Sequence, residues 1–314
     1  MDTPTHTPVL VEEVVRDLAV TSGGRHIDCT VGLGGHAEAV LDRSPGDASL
    51  LGIDADGEAI RLARLRLARF GSRVELVAGN FAQLEAICAS LGIPRVHSIL
   101  FDLGVSSLQL DSTGRGFSFQ KDASLDMRYD AGSGQTAAEI VNHTSQRQLI
   151  RLLREYGEER LAPDIARRIV SARPIESTLH LARLAEDAYG GRGRSRIHPA
   201  TRTFMALRIA VNNELDNLIV GLNQALNVLA VGGRIAVISY HSLEDRIVKE
   251  FFRNESRDCI CPPQALVCQC HHVARLQIVS RKVITPSPEE VDKNPRSRSA
   301  KLRVAEKTNR RKGG

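Results

Sequence analysis

The sequence predicts an α/β fold in which a mostly parallel sheet is interrupted by an all-helical insertion. Strand-like apolar runs alternate with helical patterns over the first hundred residues, and this alternation is typical of βαβ units with right-handed crossovers. No strand-like run follows in residues 136–200, and one returns at 234–240 after Gly232-Gly233. The length of 314 residues is sufficient for two domains.

The elements of the first half follow from local patterns. Strands are predicted at residues 26–29, 49–53, 74–77 and 98–101, and the clearest helix between them spans 58–70. Residues 102–135, rich in Gly, Ser and Asp, form a predicted long loop, and long loops in compact domains are usually functional or disordered. The predicted division is a sheet domain at 1–110, the loop and helical insertion at 111–204, and the rest of the sheet domain with a basic tail at 205–314.

Helix starts are visible in the insertion and after the last parallel strand. Thr136-x-x-Glu139 and Ser145-x-x-Gln148 fit capping boxes. One long helix is predicted from about 201 to 229, and Ser242 is the predicted N-cap of the helix after the strand at 234–240. Residues 276–280 and 300–305 are candidate edge strands.

The composition excludes fibrous and wholly disordered proteins. No apolar run reaches the roughly 18 residues of a membrane helix, and the first residues lack a secretory signal pattern. A cytoplasmic protein with reduced cysteines and no membrane partner is therefore predicted.

The net charge is +5. Basic residues cluster at Arg192, Arg194, Arg196, Arg202, Lys293, Arg296, Arg298, Lys301, Arg303, Lys307, Arg310, Arg311 and Lys312. Such clusters fit either a polyanion-binding surface or solvated segments.

A glycine-rich turn predicts a nucleotide-type cofactor site. The first strand is followed by Val31-Gly32-Leu33-Gly34-Gly35-His36 and a helix, an arrangement that lets backbone amides approach an anionic group. Asp54 ends the second strand, where a carboxylate binds ribose hydroxyls. A tight turn and a surface aspartate are the alternative. Ala37 replaces the third glycine of the dinucleotide fingerprint, which disfavours a nicotinamide or flavin cofactor.

Two further strand ends favour S-adenosyl-L-methionine (SAM). Phe81 follows the third strand, where an aromatic ring suits an adenine, although a core position is its simpler explanation. Asp102 ends the fourth strand, at the edge where α/β sheets bind ligands.

Longer blocks carry a family resemblance. They are HTPVL (6–10), GGH (34–36), DLGVSSLQLD (102–111), RGFSF (115–119), LDMR (125–128), FMALRIAVNNEL (204–215), VISYHSLEDRIVK (237–249) and NPRSRSAKLRVAEK (294–307). With them the chain resembles the bacterial 16S ribosomal-RNA cytosine-N4 methyltransferase family over essentially its whole length. The resemblance implies a class I SAM-dependent methyltransferase (Rossmann-like) fold. It also implies methylation of the exocyclic N4 of one cytosine in 16S rRNA, at the decoding centre of the small ribosomal subunit.

The resemblance also implies the cofactor contacts, which are Gly34, Gly35, His36, Asp54, Phe81, Asp102 and Gln109. Gln109 rests on the resemblance alone. No metal is required for the transfer, because SAM already carries an activated methyl group. Whether the chain acts as a monomer or a homodimer stays open, as does an alternative role as a ribosome-assembly protein or a DNA cytosine-N4 methylase.

The group that accepts the N4 proton is not settled by the sequence, because DLGV at 102–105 replaces the Asp/Asn/Ser-Pro-Pro-aromatic loop of many amino-methyltransferases. Candidates are Asp102, Ser106, Ser107 and His241. The serines equally fit bonds to loop amides, and His241 equally fits the start of the following helix.

Other side chains are candidates for RNA contact. Phe117 and Phe119 suit either base stacking or anchoring of the loop. Arg115, Arg128, Arg202 and Arg208 are candidate phosphate contacts, and for Arg208 a salt bridge is the alternative.

Four cysteines form a separate motif, Cys259-x-Cys261-x6-Cys268-x-Cys270. Four thiols in a reduced compartment suggest zinc before disulfides, although the spacing is CxC rather than the CxxC of zinc knuckles.

Overall fold

The computed structural model describes residues 8–111, 114–190, 198–265 and 267–309. The chain divides into two compact units. The sheet unit comprises Met1–Gly104 and Asn217–Gly314, and the helical unit comprises Val105–Asp216.

The sheet unit contains one seven-stranded sheet with the order β3-β2-β1-β4-β5-β7-β6. Its strands are β1 Arg25–Asp28, β2 Ser49–Asp54, β3 Val74–Ala78, β4 Val96–Asp102, β5 Leu229–Ser239, β6 Leu276–Ile278 and β7 Lys301–Lys307. The first five are parallel, whereas β7 runs antiparallel to both β5 and β6. The predicted fold class, a mostly parallel α/β sheet, is confirmed. The strand order reverses between β1 and β4, which is the position where such sheets bind ligands.

Helices flank this sheet. They are α1 Val11–Asp17, α2 Gly35–Arg43, α3 Gly57–Leu67, α4 Leu84–Ser90, α11 Glu214–Val228, α12 Ser242–Glu255 and α13 Pro288–Lys293. The first residues of α11 belong to the helical unit. Adjacent residues of β4 pack into different clusters of apolar side chains, with Ile99 and Phe101 in one and Leu100 in the other. A central parallel strand is therefore buried on both faces, which explains its continuous apolar sequence.

The helical unit holds α5 Ser107–Asp111, α6 Ala137–His143, α7 Gln146–Gly157, α8 Ala162–Ser171, α9 Thr178–Tyr189 and α10 Ala200–Asn212. Both predicted capping boxes are present, at Thr136 with Glu139 and at Ser145 with Gln148. Apolar faces of α6 to α10 form one core of their own. The short α5 lies inside the stretch that was predicted as a loop.

Three local predictions are wrong. The single helix at 201–229 is two helices, because Asn213 adopts the left-handed conformation (φ 50°, ψ 40°) and ends α10. Asn tolerates this conformation better than most residues. The N-cap of α12 is His241 and not Ser242. β7 is not an edge strand, since it lies between β5 and β6.

The predicted boundary at 204/205 lies within α10, Ala200–Asn212. The predicted division into domains stays a prediction.

Much of the basic C-terminal segment has partners inside the sheet unit. Arg303 Nε donates to Asp245 Oδ1 at 2.7 Å, and Lys301 Nζ lies 3.3 Å from Asp245 Oδ2. Lys307 Nζ donates to the carbonyls of Leu226 and Leu229, both at 2.7 Å. These three residues are therefore structural parts of β7. Arg192, Arg194, Arg196, Arg310, Arg311 and Lys312 lie outside the described residues.

Across the described residues, none of the helices combines the length and the apolar character needed to cross a membrane.

Candidate functional site

Three aspartates meet at the carboxyl edge of the sheet, and we call them the carboxylate cluster. Asp28 ends β1, and its neighbours in register are Gly52 of β2 and Leu100 of β4. Asp54 and Asp102 end these two strands and so extend beyond Asp28 on either side. The sheet topology thus brings together two of the sequence-predicted site residues and adds Asp28, which had not been predicted.

Backbone amides hold the carboxylate of Asp54. Its Oδ2 accepts from the N–H of Gly32 at 2.8 Å, and its Oδ1 accepts from the N–H of Asp56 at 2.9 Å. These bonds join the end of β2 to the glycine turn after β1. A carboxylate accepts at up to about four positions, so a group oriented by amides can also bind the hydroxyls of a ribose.

The glycine turn leads directly into α2. Gly34 is the N-cap, with φ 82° and no capping side chain. A Cβ on Gly34 would lie 3.2 Å from Leu67 Cδ1, and a Cβ on Gly35 would lie 3.0 Å from Pro8 Cγ. Packing therefore requires small residues here, and the lack of a capping side chain suits a ligand at the first turn of α2.

Asp102 is held at three points. Its backbone N–H donates to Thr30 Oγ1 at 2.6 Å, and its Oδ1 accepts from the Tyr240 hydroxyl at 2.9 Å. His36 Nδ1 lies 3.4 Å from its Oδ2. The Asp102 side chain is 17% exposed and therefore accessible to a ligand, whereas His36 is only 6% exposed.

The contact between His36 and Val9 determines which ring nitrogen of His36 carries a hydrogen. Its Nε2 lies 2.8 Å from the carbonyl oxygen of Val9, which can only accept, so Nε2 carries a hydrogen. In a neutral ring Nδ1 then has no hydrogen to give to Asp102. A hydrogen bond between the two side chains therefore requires a proton on the ring or on the carboxyl group.

Asp28 and Tyr240 are the functional candidates that sequence reasoning missed. Asp28 is fully buried, and its Oδ1 accepts from the N–H of Thr30 at 3.2 Å. Burial raises its pKa to about 7, Asp102 and Asp54 contribute to the rise, and His36 opposes it. Burial and the Asp102 carboxylate also raise the pKa of Tyr240 well above its usual value, which keeps its hydroxyl a donor. Asp28 lies in the strand predicted at 26–29 and Tyr240 in the block at 237–249, but no residue spacing marks either of them as a site residue.

Phe81 is partly buried beside the end of β3. Its ring meets Phe101 edge to face, with centroids 5.4 Å apart. Gly221 of α11 makes room for this ring, since a Cβ there would lie 2.6 Å from Phe81 Cδ2. Phe81 therefore packs against the core at the same edge of the sheet where an adenine was predicted to lie.

His241 is the N-cap residue of α12. Its Nδ1 accepts from the N–H of Glu244 at 3.4 Å. Glu244 Oε2 in turn accepts from the N–H groups of Tyr240 and His241, at 2.9 Å and 3.3 Å. This reciprocal capping box orients the first turn of α12 and the adjoining Tyr240.

Ser106 and Gln109 belong to the helical unit. The N–H of Ser106 donates to Gln109 Oε1 at 3.0 Å, and the N–H of Gln109 donates to Ser106 Oγ at 3.3 Å. This pair fixes the start of α5, because Ser106 Oγ accepts from an amide in the first turn of that helix. The side chain of Ser107 lies outside the described part of the chain.

The aromatic candidates for RNA contact pack inside the helical unit. Phe117 stacks on Tyr129 with centroids 5.6 Å apart, and Phe119 stacks on His198 at 4.5 Å. Both rings therefore anchor the loop that carries them.

The four candidate arginines also have partners within the helical unit. Arg115 donates to the carbonyls of Arg128 and Tyr129, Arg128 pairs with Asp126, and Arg202 donates to the carbonyl of Glu158. Arg208 forms two bonds to Glu214, at 2.8 Å and 2.9 Å. The salt-bridge alternative for Arg208 is thus confirmed.

Comparison with known proteins identifies the family. The model of the MraW methylase family matches residues 3–308. The chain belongs to the MraW methylase family. This membership confirms the family predicted from the sequence blocks, the methyltransferase class and SAM as the methyl donor.

The similar sequences include a "Ribosomal RNA small subunit methyltransferase H" from Dehalococcoides mccartyi (strain ATCC BAA-2266 / KCTC 15142 / 195). It is 54% identical over 302 residues, which cover 96% of this chain and 86% of that protein. A protein of the same name from Syntrophotalea carbinolica is 52% identical and covers 95% of this chain and 96% of its own. Among solved structures, an rRNA methylase from Streptococcus thermophilus is 11% identical, with a TM-score of 0.42 over 95% of this chain and 94% of that one. The family assignment rests on the sequence relatives.

The raised pKa of Asp28 predicts a pH-dependent stability. The folded protein keeps a proton that the unfolded chain releases between the ordinary pKa of 3.8 and about 7. The free energy of unfolding should therefore fall as pH rises through this range, by at most ~4 kcal/mol. Asp28→Asn should remove this contribution, and urea unfolding at pH 5 and pH 8 measures the larger part of it.

The exposed Asp47 provides the control for that comparison. Asp47→Asn should show the same pH dependence as the unaltered protein. If the Asp28→Asn curve also ran parallel to the unaltered one, Asp28 would not hold a proton at neutral pH.

Proposed function

We propose that the chain methylates the exocyclic N4 of a cytosine in 16S rRNA, with SAM as donor, at the decoding centre of the small ribosomal subunit. The observation that carries the proposal is the convergence of Asp54, the glycine turn and Asp102 at one sheet edge in a member of a methylase family. The printed name of the relatives supports a small-subunit rRNA substrate. The choice of cytosine N4 and of the decoding centre rests on the resemblance of the sequence blocks. Such a substrate places the activity in the cytoplasm.

The proposed cofactor contacts follow from the geometry of the sheet unit. Asp54 accepts hydrogen bonds from the ribose hydroxyls, and the Gly34-Gly35 turn with the first amides of α2 holds the polar end of the cofactor. Phe81 borders the adenine. SAM supplies an activated sulfonium methyl group, so no metal is needed. Gln109 remains a contact proposed from the resemblance, and His36 acts through Asp102.

The proposed acceptor for the N4 hydrogen is the Asp102 carboxylate. The lone pair of a cytosine amine is delocalised into the ring, so the nitrogen must be held in line with the methyl group and donate a hydrogen bond to the acceptor. The acceptor then takes the N4 proton as the amine is methylated. Asp102 is partly exposed, whereas the side chain of His241 caps α12 and Ser106 is paired with Gln109. The Tyr240 hydroxyl fixes the orientation of the carboxylate.

The activity is tested by incubating the full chain with methyl-labelled SAM and small ribosomal subunits that lack the modification. Nuclease digestion followed by mass spectrometry should yield N4-methylcytidine from 16S rRNA. Binding to the subunit without transfer would favour a role in ribosome assembly. Transfer to duplex DNA but not to the subunit would identify a DNA methylase.

Asp54→Ala should weaken SAM binding more than RNA binding. Loss of two hydrogen bonds to a charged acceptor predicts an increase of the SAM Kd on the order of 100-fold. Calorimetry with SAM and filter binding with rRNA measure the two affinities. Asp47→Ala serves as the matched control, and an equal loss of both affinities in Asp54→Ala would contradict the ribose role.

Tyr240→Phe should lower kcat by about 10- to 100-fold, because Asp102 loses a charge-assisted hydrogen bond that orients it. The SAM Kd and the melting temperature should change little. Tyr189→Phe is the matched control, since the Tyr189 hydroxyl donates to a carboxylate of the helical unit, Glu159. Unchanged kcat in Tyr240→Phe would remove Tyr240 from the mechanism.

A further inference from the structure

The loop between α12 and β6 brings four cysteine sulfurs together. One sulfur each from Cys259, Cys261, Cys268 and Cys270, together called the cysteine cluster, lies within 4.8 Å of all the others. Cys268 and Cys270 have sulfurs 3.6 Å apart, and Cys270 and Cys259 have sulfurs 3.8 Å apart. Four thiolates at about 2.3 Å from a tetrahedral zinc ion would be separated by about 3.8 Å. Two sulfur pairs therefore have the spacing of a zinc site with four cysteine ligands, and the remaining pairs are at most 4.8 Å apart.

Backbone N–H groups are directed at three of the four sulfurs. Cys270 Sγ accepts from the N–H of Ile260, and Cys261 Sγ accepts from the N–H of Gln269, each at 3.4 Å. Cys259 Sγ accepts from the N–H of Cys261, also at 3.4 Å. Metals bind thiolates, and donors around the ligand atoms orient them for coordination.

Neither disulfide bonding nor hydrophobic packing explains the convergence. The four cysteines are free thiols, and Cys259 and Cys268 are exposed. Their neighbours Ile260 and Val267 are 47% and 72% exposed, so gathering the sulfurs buries little apolar surface. A shared ligand of all four sulfurs would account for the convergence.

The neighbouring histidine fastens the loop rather than completing the ligand set. His272 Nδ1 lies 2.9 Å from the carbonyl oxygen of Arg257, to which it donates. His272 Nε2 lies 3.5 Å from Glu255 Oε2, at the end of α12. The backbone N–H of Arg275 donates to the carbonyl of Glu255 at 2.8 Å. The loop is thereby closed at its base, and its tip contains the cysteine cluster.

We propose that Cys259, Cys261, Cys268 and Cys270 bind one Zn²⁺ ion. Four protein ligands close the coordination shell, which is typical of a structural site and leaves no position for a substrate. The ion replaces a hydrophobic core in this exposed loop and fixes the connection from α12 to the edge strand β6. No residue of the cysteine cluster belongs to the carboxylate cluster.

The metal content tests the proposal. Full-length protein from zinc-supplemented cells, purified without chelator, should contain ~1 zinc per chain by elemental analysis. Cys259→Ser combined with Cys270→Ser should reduce the zinc content at least tenfold. Cys88→Ala is the matched control, because Cys88 is buried in the core of the sheet unit and should not affect zinc.

A second measurement does not depend on the folding of a variant. The unaltered protein reconstituted with Co²⁺ should show thiolate-to-cobalt charge-transfer bands and the strong visible bands of a tetrahedral sulfur site. Zinc below a tenth of an equivalent together with no such bands would overturn the proposal. Zinc retained in the double serine variant would also overturn it, since the ion would then be bound elsewhere.

Discussion

The carboxyl ends of the parallel strands lie at one edge of the sheet, and this constraint places three carboxyl groups close together. Burial and mutual repulsion make such a cluster costly unless each member is compensated. The three are compensated differently: Asp54 by the amides of Gly32 and Asp56, Asp102 by the Tyr240 hydroxyl beside His36, and Asp28 by a proton that burial favours. The site therefore has two carboxyl groups, Asp54 and Asp102, whose orientation is fixed by hydrogen bonds, and a buried third, Asp28, whose pKa burial raises to about 7.

The same bonds connect elements that are distant along the chain. Asp54 joins the end of β2 to the turn after β1, and the Asp102 amide joins β4 to Thr30 in that turn. Tyr240 follows the end of β5 and is oriented by the capping box of α12, so its bond to Asp102 joins β5 to β4. The proposed acceptors, Asp54 and Asp102, are therefore positioned by the strand ends and by hydrogen bonds within the protein, which is the condition for electrostatic catalysis without reorganisation. A substitution at the end of one strand should therefore also displace the side chains at the end of the neighbouring strand.

Patterns within a few residues predicted the structure well, whereas contacts between distant residues did not follow from the sequence. The strands β1 to β4 and both capping boxes were predicted because apolar runs and Ser/Thr-x-x-Glu/Gln spacings act locally. The helix break at Asn213 does not interrupt the helical spacing of the apolar residues around it, so that spacing predicted one continuous helix. The bond between Tyr240 and Asp102 spans 138 residues, and Lys307 reaches carbonyls of Leu226 and Leu229. Charge alone had suggested a solvated or RNA-binding role for Lys307.

Helix α12 separates the two clusters of the sheet unit. Its 14 residues correspond to a length of about 21 Å, with Tyr240 and His241 before its first turn and the loop of the cysteine cluster after its last. The proposed zinc ion would fix the chain between the end of this helix and the short edge strand β6, which within the described part of the chain pairs with β7 alone. Edge strands of three residues are weakly held by their own hydrogen bonds. The proposed zinc site therefore bears on the connection to β6, whereas the carboxylate cluster is held by hydrogen bonds that do not involve the cysteines.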